Sequence, residues 1–261
     1  LLSLTLTTAA LGRWDWNLHT GMISGDERWR SMHGLPAGTM KGPAFLWTEP
    51  LGPEEVLRVT TEVTRHVNQP ETPFDTTFCI RRPHEKERWI RNLGKVVSLD
   101  AEGQPERMLG IALDVTAQHE QENLLRRLAH YDTLTGLPNR VMLARKLADA
   151  MDQAHSMGAL LGVAYLDLDG FKPVNDRLGH DAGDRLLVVA AQRMVRSLRP
   201  QDCVARLEGD EFAILLPQVH SVQECRQLLQ QAMQSIASPY QLGRHRVGVT
   251  ASIGYTLYPQ D

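Results

Sequence analysis

The chain has 261 residues, 42% hydrophobic and 23% charged, which is ordinary globular material and enough for one large domain or two of moderate size. Its 28 Lys and Arg against 31 Asp and Glu leave a formal charge of −3, excluding the strong basic field that would gather nucleic acid or an anionic membrane surface. Cys79, Cys203 and Cys225 are odd in number and fall in apolar stretches, so buried thiols in a reducing, cytoplasmic setting are expected rather than a disulfide scaffold or zinc cluster.

The opening LLSLTLTTAALG is apolar but interrupted by threonines, and it is about half the ~20 residues a spanning helix needs. Lacking a basic lead-in and an initiator methionine, it reads as neither anchor nor signal peptide, and the chain reads as a piece of a longer one. Residues 1–116 then carry short apolar or aromatic runs, GRWDWNL, FDTTFCIRR, RWIRNLGKVVSL and RMLGIALDVT, separated by Gly and Pro. Phe74, Thr76, Phe78 and Ile80 recur with the period of two expected of a half-buried strand. SGDERWRSMHGLP and GPEEVLRVTTEVTRHV read as helices, the second opening on Pro53 and two acids and spacing Val56, Val59 and Val63 along one face. A small antiparallel sheet with helices on one side follows.

TAQHEQENLLRRLAHY, from Thr116 to Tyr131, has no Gly or Pro. Ala117, Gln121, Leu124, Leu128 and Tyr131 alternate in steps of four and three, as in a short coiled coil or a plain amphipathic connector. Two heptads are marginal alone, so this linker (117–131) depends on its flanks or on a partner copy.

Residues 132–261 alternate helices and strands. MLARKLADAMDQA, DAGDRLLVVAAQRMVRSLR and VQECRQLLQQAMQSIA read as helices, GALLGVAYLDLD and RVGVTASIGYTLYP as strands, and CVARL and FAILLP as a hairpin. The pattern predicts an α/β or α+β domain with a mixed sheet.

Chemistry concentrates where two of these strands end. Asp167 and Asp169 point to one side of their strand, and a Gly-containing loop with Lys172 follows. Such a pair suits a hard cation with phosphates, or is simply two solvated acids; Lys172 alone reads as a surface lysine. A second acidic pair, Asp210 and Glu211, sits on the hairpin turn of RLEGDEF, and two strand-borne acid clusters suit in-line phosphoryl or nucleotidyl transfer.

These residues resemble the GGDEF-domain diguanylate cyclases. The likeness runs through HYDTLTGLPNR (130–140), DLDGFKPVNDRLGHDAGD (167–184), RLEGDEF (206–212) and ASIGYTLYP (251–259), in order and at matching spacing. It implies a palm-like fold that binds one GTP, with two domains facing each other as a homodimer to make cyclic di-GMP. Carried over by position, Asp167, the Leu168 carbonyl and Asp210 hold magnesium (or manganese). Glu211 supports the metal or the attacking hydroxyl. Gly170, Phe171, Lys172 and Gly209 attend the phosphates, while Asn175 and Asp184 read guanine, the amide donating to O6 and the carboxylate accepting from N1–H and N2–H₂. Arg199 and Asp202 in RPQD fall where many members carry a product-inhibition site, and the helix expected to add an arginine there offers Gln230, with Arg226 one turn earlier. Glu208 replaces the family's first glycine, which costs roughly 1–2 kcal/mol if that position needs positive φ and little if it is extended and solvated. The resemblance also places the end of the chain just before a helix carrying further basic phosphate contacts.

Residues 1–116 resemble a PAS sensor domain, on the aromatic GRWDWNL strand and the ALDVT exit. Asp114, Val115 and Thr116 match a coupling motif of that family, or form a helix N-cap. Cys79 lacks a flavin-reactive context, and His66 reads as a surface or satisfied core histidine rather than a haem ligand; the ligand of this domain stays unassigned. The implied activity is signal-regulated condensation of two GTP. The competing reading is a degenerate module that binds GTP or cyclic di-GMP and regulates a neighbouring domain such as a phosphodiesterase.

Overall fold

The computed structural model describes residues 10–36, 41–44, 48, 50–69, 71–82 and 84–260, so the apolar segment 1–9 lies outside the described residues. The chain divides into two units, Leu1–Asn123 and Leu124–Asp261.

The first unit is built on β1 (Gly12–Asn17), β2 (Met22–Gly25), β3 (Lys41–Pro43), β4 (Phe74–Ile80), β5 (Arg88–Leu99) and β6 (Pro105–Asp114), ordered β3-β2-β1-β6-β5-β4 with every pairing antiparallel. The alternation in β4 becomes a buried face of Phe74, Thr76, Phe78 and Ile80. Asp26 caps α1 (Glu27–Met32) by accepting from the Trp29 amide at 2.9 Å. Pro53 opens α2 (Pro53–Asn68), whose Val59 and Val63 are buried and whose Val56 packs at the edge of the core. His66 is a satisfied core residue: Nδ1 meets the Thr72 carbonyl and Nε2 accepts from the Val96 amide at 3.3 Å.

At the exit, Asp114 Oδ1 accepts from the Thr116 amide (3.0 Å) and hydroxyl (2.5 Å), and the same hydroxyl oxygen accepts from the Trp89 amide at 2.9 Å. The Trp89 ring stacks on His119 with centroids 3.7 Å apart. Coupling contact and helix start are therefore one structure, fastening α3 (Thr116–His130) to β5. No side chain of α3 is buried, and Leu124, Leu125 and Leu128 are exposed along it.

The second unit contains α4 (Arg140–Met157), β7 (Leu160–Asp169), α5 (Phe171–Leu178), α6 (His180–Ser197), β8 (Cys203–Glu208), β9 (Glu211–Val219), α7 (Val222–Ala237), β10 (Tyr240–Leu242), β11 (His245–Val247) and β12 (Thr250–Tyr258). Its four-stranded sheet is ordered β12-β7-β9-β8, and β10 pairs β11. Mixed strand directions are expected from the sequence; every described pairing here is antiparallel, because β9 and β12 both run against the central β7. Leu166, Leu168, Phe212, Ile214 and Leu216 turn inward to a core with Leu186, Met194 and Leu229 of α6 and α7, leaving the alternate side chains of β7 on the opposite face. Two elements depart from the sequence reading. FKPVNDRL forms α5 rather than a loop, since Pro173 falls in the first turn where no amide donor is needed, and a short strand, β10, pairs with β11 ahead of β12.

Candidate active site

Alternation along β7 places Tyr165, Asp167 and Asp169 on its exposed face while Leu166 and Leu168 anchor the core. Asp167 lies directly opposite Glu211 of β9, and the Leu168 amide donates to the Asp210 carbonyl at 3.3 Å. Glu208 pairs Glu211 across the hairpin, leaving a two-residue turn of Gly209 and Asp210. The structure thus brings Asp167, Leu168, Asp210 and Glu211 to one strand end. Burial pushes the Asp167 carboxyl above its ordinary value, and the negative charges of Asp210, Asp169 and Glu211 push it further. Glu208 is exposed at the end of β8 and lies outside that set. Asp169 is already engaged, accepting from Ser252 Oγ at 3.0 and 3.1 Å and from Thr250 Oγ1 at 3.2 Å. The Tyr165 hydroxyl donates to Glu211 Oε2 at 2.5 Å.

Among the described residues no three His, Cys, Asp or Glu side chains converge as a metal cage. The donors that do gather are hard oxygens, with the negative charges of Asp210, Asp169 and Glu211 crowded around Asp167. That set fits magnesium, which takes one or two carboxylates and fills its octahedron with water and substrate phosphate. Asp167, the Leu168 carbonyl and Asp210 are the groups that would hold it.

Gly209 has φ of +53°, a conformation that favours glycine, and an added Cβ there would meet nothing within 4 Å, so backbone conformation and not space selects glycine. Glu208 is not among the positive-φ residues. Gly170, at φ +82°, turns the chain from β7 into α5. Phe171 is buried under that turn and Lys172 is exposed beside it, the phosphate-side group of the sequence reading. Asn175 leans on α6: its Oδ1 is buried without a hydrogen-bond partner and sits 1.8 Å from where a Cβ on Gly183 would lie. Gly183 is therefore glycine because Asn175 needs the space. The exposed Asp184 follows immediately, so the two guanine candidates are neighbours across the α5–α6 junction.

Arg199 and Asp202 meet each other first. Arg199 Nη2 pairs Asp202 at 2.9 Å and the Pro217 carbonyl at 3.0 Å, Nη1 pairs Glu224 at 2.9 Å, and the Asp202 side chain is 0% exposed. As placed, the pair is turned inward. Arg226 donates from Nε to the Tyr255 hydroxyl at 2.7 Å, and Gln230 is exposed on the same helix.

Arg206 is the site residue that sequence reasoning missed. Nε and Nη2 donate to the Gly209 carbonyl at 2.9 and 2.7 Å, while Nη1 pairs both oxygens of Asp132 at 3.0 and 3.1 Å. Burial raises the Asp132 carboxyl, but hydrogen bonds from Thr135 and the Arg206 guanidinium outweigh it and hold the group below the usual carboxylate range. Asp132 also closes its own loop, accepting from the Thr135 amide at 2.8 Å and hydroxyl at 2.6 Å, and Asn139 then caps α4. Asp132 and Arg206 lie 74 residues apart, and no local signal joins them.

A family model described as diguanylate cyclase, GGDEF domain, matches residues 129–261, and a PAS-fold model matches residues 22–112. The chain belongs to the GGDEF-domain diguanylate cyclase family, with a PAS fold ahead of that domain. It is 44% identical over 135 residues to the bifunctional diguanylate cyclase/cyclic di-GMP phosphodiesterase MucR of Pseudomonas aeruginosa, covering 52% of this chain and 20% of that protein. Diguanylate cyclase TpbB of the same organism is 40% identical over 146 residues, covering 55% and 34%. Among solved structures, the coiled coil and GGDEF domain of DgcB from Caulobacter crescentus in complex with c-di-GMP superposes with a TM-score of 0.50 at 28% identity, covering 55% of this chain and 76% of that one. The chain spans about a fifth of the length of the first curated relatives it matches.

Proposed function

We propose that the protein is a diguanylate cyclase that condenses two GTP into cyclic di-GMP and pyrophosphate with Mg²⁺, under control of its PAS half. The observation that carries this reading is the meeting of Asp167, Asp210 and Glu211 at one strand end, beside a glycine-opened helix start bearing Lys172. Magnesium, when bound, neutralises phosphate charge and stabilises the pyrophosphate leaving group. Asp167, the Leu168 carbonyl and Asp210 hold it; Lys172 and the amides at Gly170 and Phe171 hold phosphates, and Gly209 lets the turn approach them. Glu211 attends the attacking 3′-hydroxyl. With Asn175 Oδ1 turned toward Gly183, its amide nitrogen is left to donate to guanine O6, and Asp184 accepts from the guanine N–H groups. Adenine lacks that donor pair and would leave Asp184 unpaired.

Each domain holds one GTP, so two copies act face to face. In this reading residues 1–116 sense, 117–131 link and 132–261 catalyse, in the cytoplasm; no helix among the described residues is long and apolar enough to cross a membrane. Inhibition by cyclic di-GMP at Arg199 and Asp202 requires the Arg199 ion pairs to open. A second reading, a regulatory module that binds nucleotide without turnover, is favoured by Glu208 in the place of a glycine. Incubation of the full-length protein with GTP and Mg²⁺, with products resolved by chromatography, separates the two. Cyclic di-GMP is expected from the wild type and none from Asp210→Ala; GTP binding with no product would discard the cyclase reading.

A further inference from the structure

Resting on the cyclase reading, we propose that Tyr165 is a positioning residue for the reaction: its hydroxyl fixes Glu211 so that one carboxylate oxygen is held toward the attacking 3′-hydroxyl. Tyr165 lies two residues before Asp167 on the same exposed face of β7, opposite Ala213 of β9 and Gly254 of β12. Glu211 sits two residues before Ala213, which makes it the diagonal neighbour across the strand pair, a separation an aromatic side chain can span. The hydroxyl reaches Glu211 Oε2 at 2.5 Å. Among the described residues, Tyr165 is the one side chain hydrogen-bonded to Glu211, and no Lys, Arg or His pairs with that carboxylate. The ring itself is half-exposed and forms one wall of an open apolar groove of about 560 Å³ with Leu143, Leu147 and Val163.

Glutamate has three side-chain torsions, and a carboxylate free to rotate spends most of its time away from any one acceptor geometry. A bond from Tyr165 to Oε2 selects one orientation and leaves Oε1 unbonded. In the step assigned to the site, the 3′-oxygen of one GTP forms a bond to the α-phosphorus of the other while the α,β-bridging P–O bond breaks. Pyrophosphate leaves with that electron pair, and the hydroxyl proton passes to Glu211 Oε1. General-base catalysis of this kind contributes when the acceptor is within hydrogen-bond reach of the proton, so what Tyr165 supplies is orientation and not binding.

Tyr165→Phe in the full-length protein keeps the ring and removes the hydroxyl. Expected are a kcat lower by about ten-fold, a KM for GTP within about two-fold of wild type, and one non-hydrolysable GTP analogue bound per chain as before. A variant as fast as wild type overturns the inference. So does a higher KM at constant kcat, which would make Tyr165 a binding residue; kcat is expressed per bound analogue, so a misfolded fraction drops out of the comparison. A wild type that makes no cyclic di-GMP overturns the cyclase reading and this inference with it, and is told apart because it is seen before any substitution is made.

Discussion

Glutamate at position 208 costs the hairpin little, because its backbone is extended within β8 and its side chain is exposed. What it does meet is Glu211, directly opposite across the strand pair, and like charges so placed disfavour the sheet by a few tenths of a kcal/mol to about 1. Replacing it with glycine removes that repulsion but adds unfolded-chain freedom worth roughly 0.5–1 kcal/mol. Glu208→Gly is therefore expected to move the stability of the second unit by less than about 1 kcal/mol. Gly209 carries the positive φ, so Gly209→Ala is expected to cost about 1–2 kcal/mol although its Cβ would touch nothing. Urea unfolding followed by circular dichroism ranks the two; a loss above 2 kcal/mol for Glu208→Gly would show that the first position of this turn carries the strain after all.

At the scale of elements, the β8–β9 hairpin is held in place by Arg206, which grips the Gly209 carbonyl with one edge of its guanidinium and the Asp132 carboxylate with the other. The Arg206 and Asp132 side chains are 13% and 21% exposed, so removing one leaves the other largely desolvated and unpaired. Arg206→Ala is expected to cost about 2 kcal/mol. Arg206→Lys is expected to cost nearly as much, since an ammonium cannot serve both acceptors with a planar fork. Combining Arg206→Ala with Asp132→Asn should cost clearly less than the sum of the single losses; strict additivity in urea midpoints would mean the two residues do not act as a unit. The same pair marks the limit of what the sequence discloses. Strands, helices and both acid pairs were legible because period-two alternation, caps and turn glycines are local signals. Arg206 was silent because its partners depend on where the loop before α4 lands. α5 was hidden by Pro173, whose tolerance in a first helical turn is decided by where the helix starts. The inward turn of Arg199 was hidden likewise, since Glu224 reaches its loop from α7.

Across the whole molecule the two units are built to answer acid differently. In the first, His33 is buried between Trp29 and Phe78, its Nδ1 bonded to the Trp29 carbonyl at 2.8 Å, and burial pushes its pKa down to about 4 from 6.5, with the Arg82 charge adding to the effect. The unfolded chain takes up this proton near pH 6.5 while the folded unit refuses it until about 4. Stability is therefore complete above the unfolded value and drains as pH falls through the window, by about 3 kcal/mol in all. In the second unit the depressed Asp132 keeps its contribution until pH falls below the usual carboxylate range. All five tryptophans of the chain lie before residue 124, so tryptophan fluorescence reports the first unit selectively. Its urea midpoint is expected to fall steadily from pH 6.5 to 4, and a variant with His33→Gln, which cannot titrate, should show a much flatter profile whatever its absolute stability. A wild-type midpoint that stays level across that window would mean that His33 is protonated in the folded state at no cost, against the burial that holds it neutral.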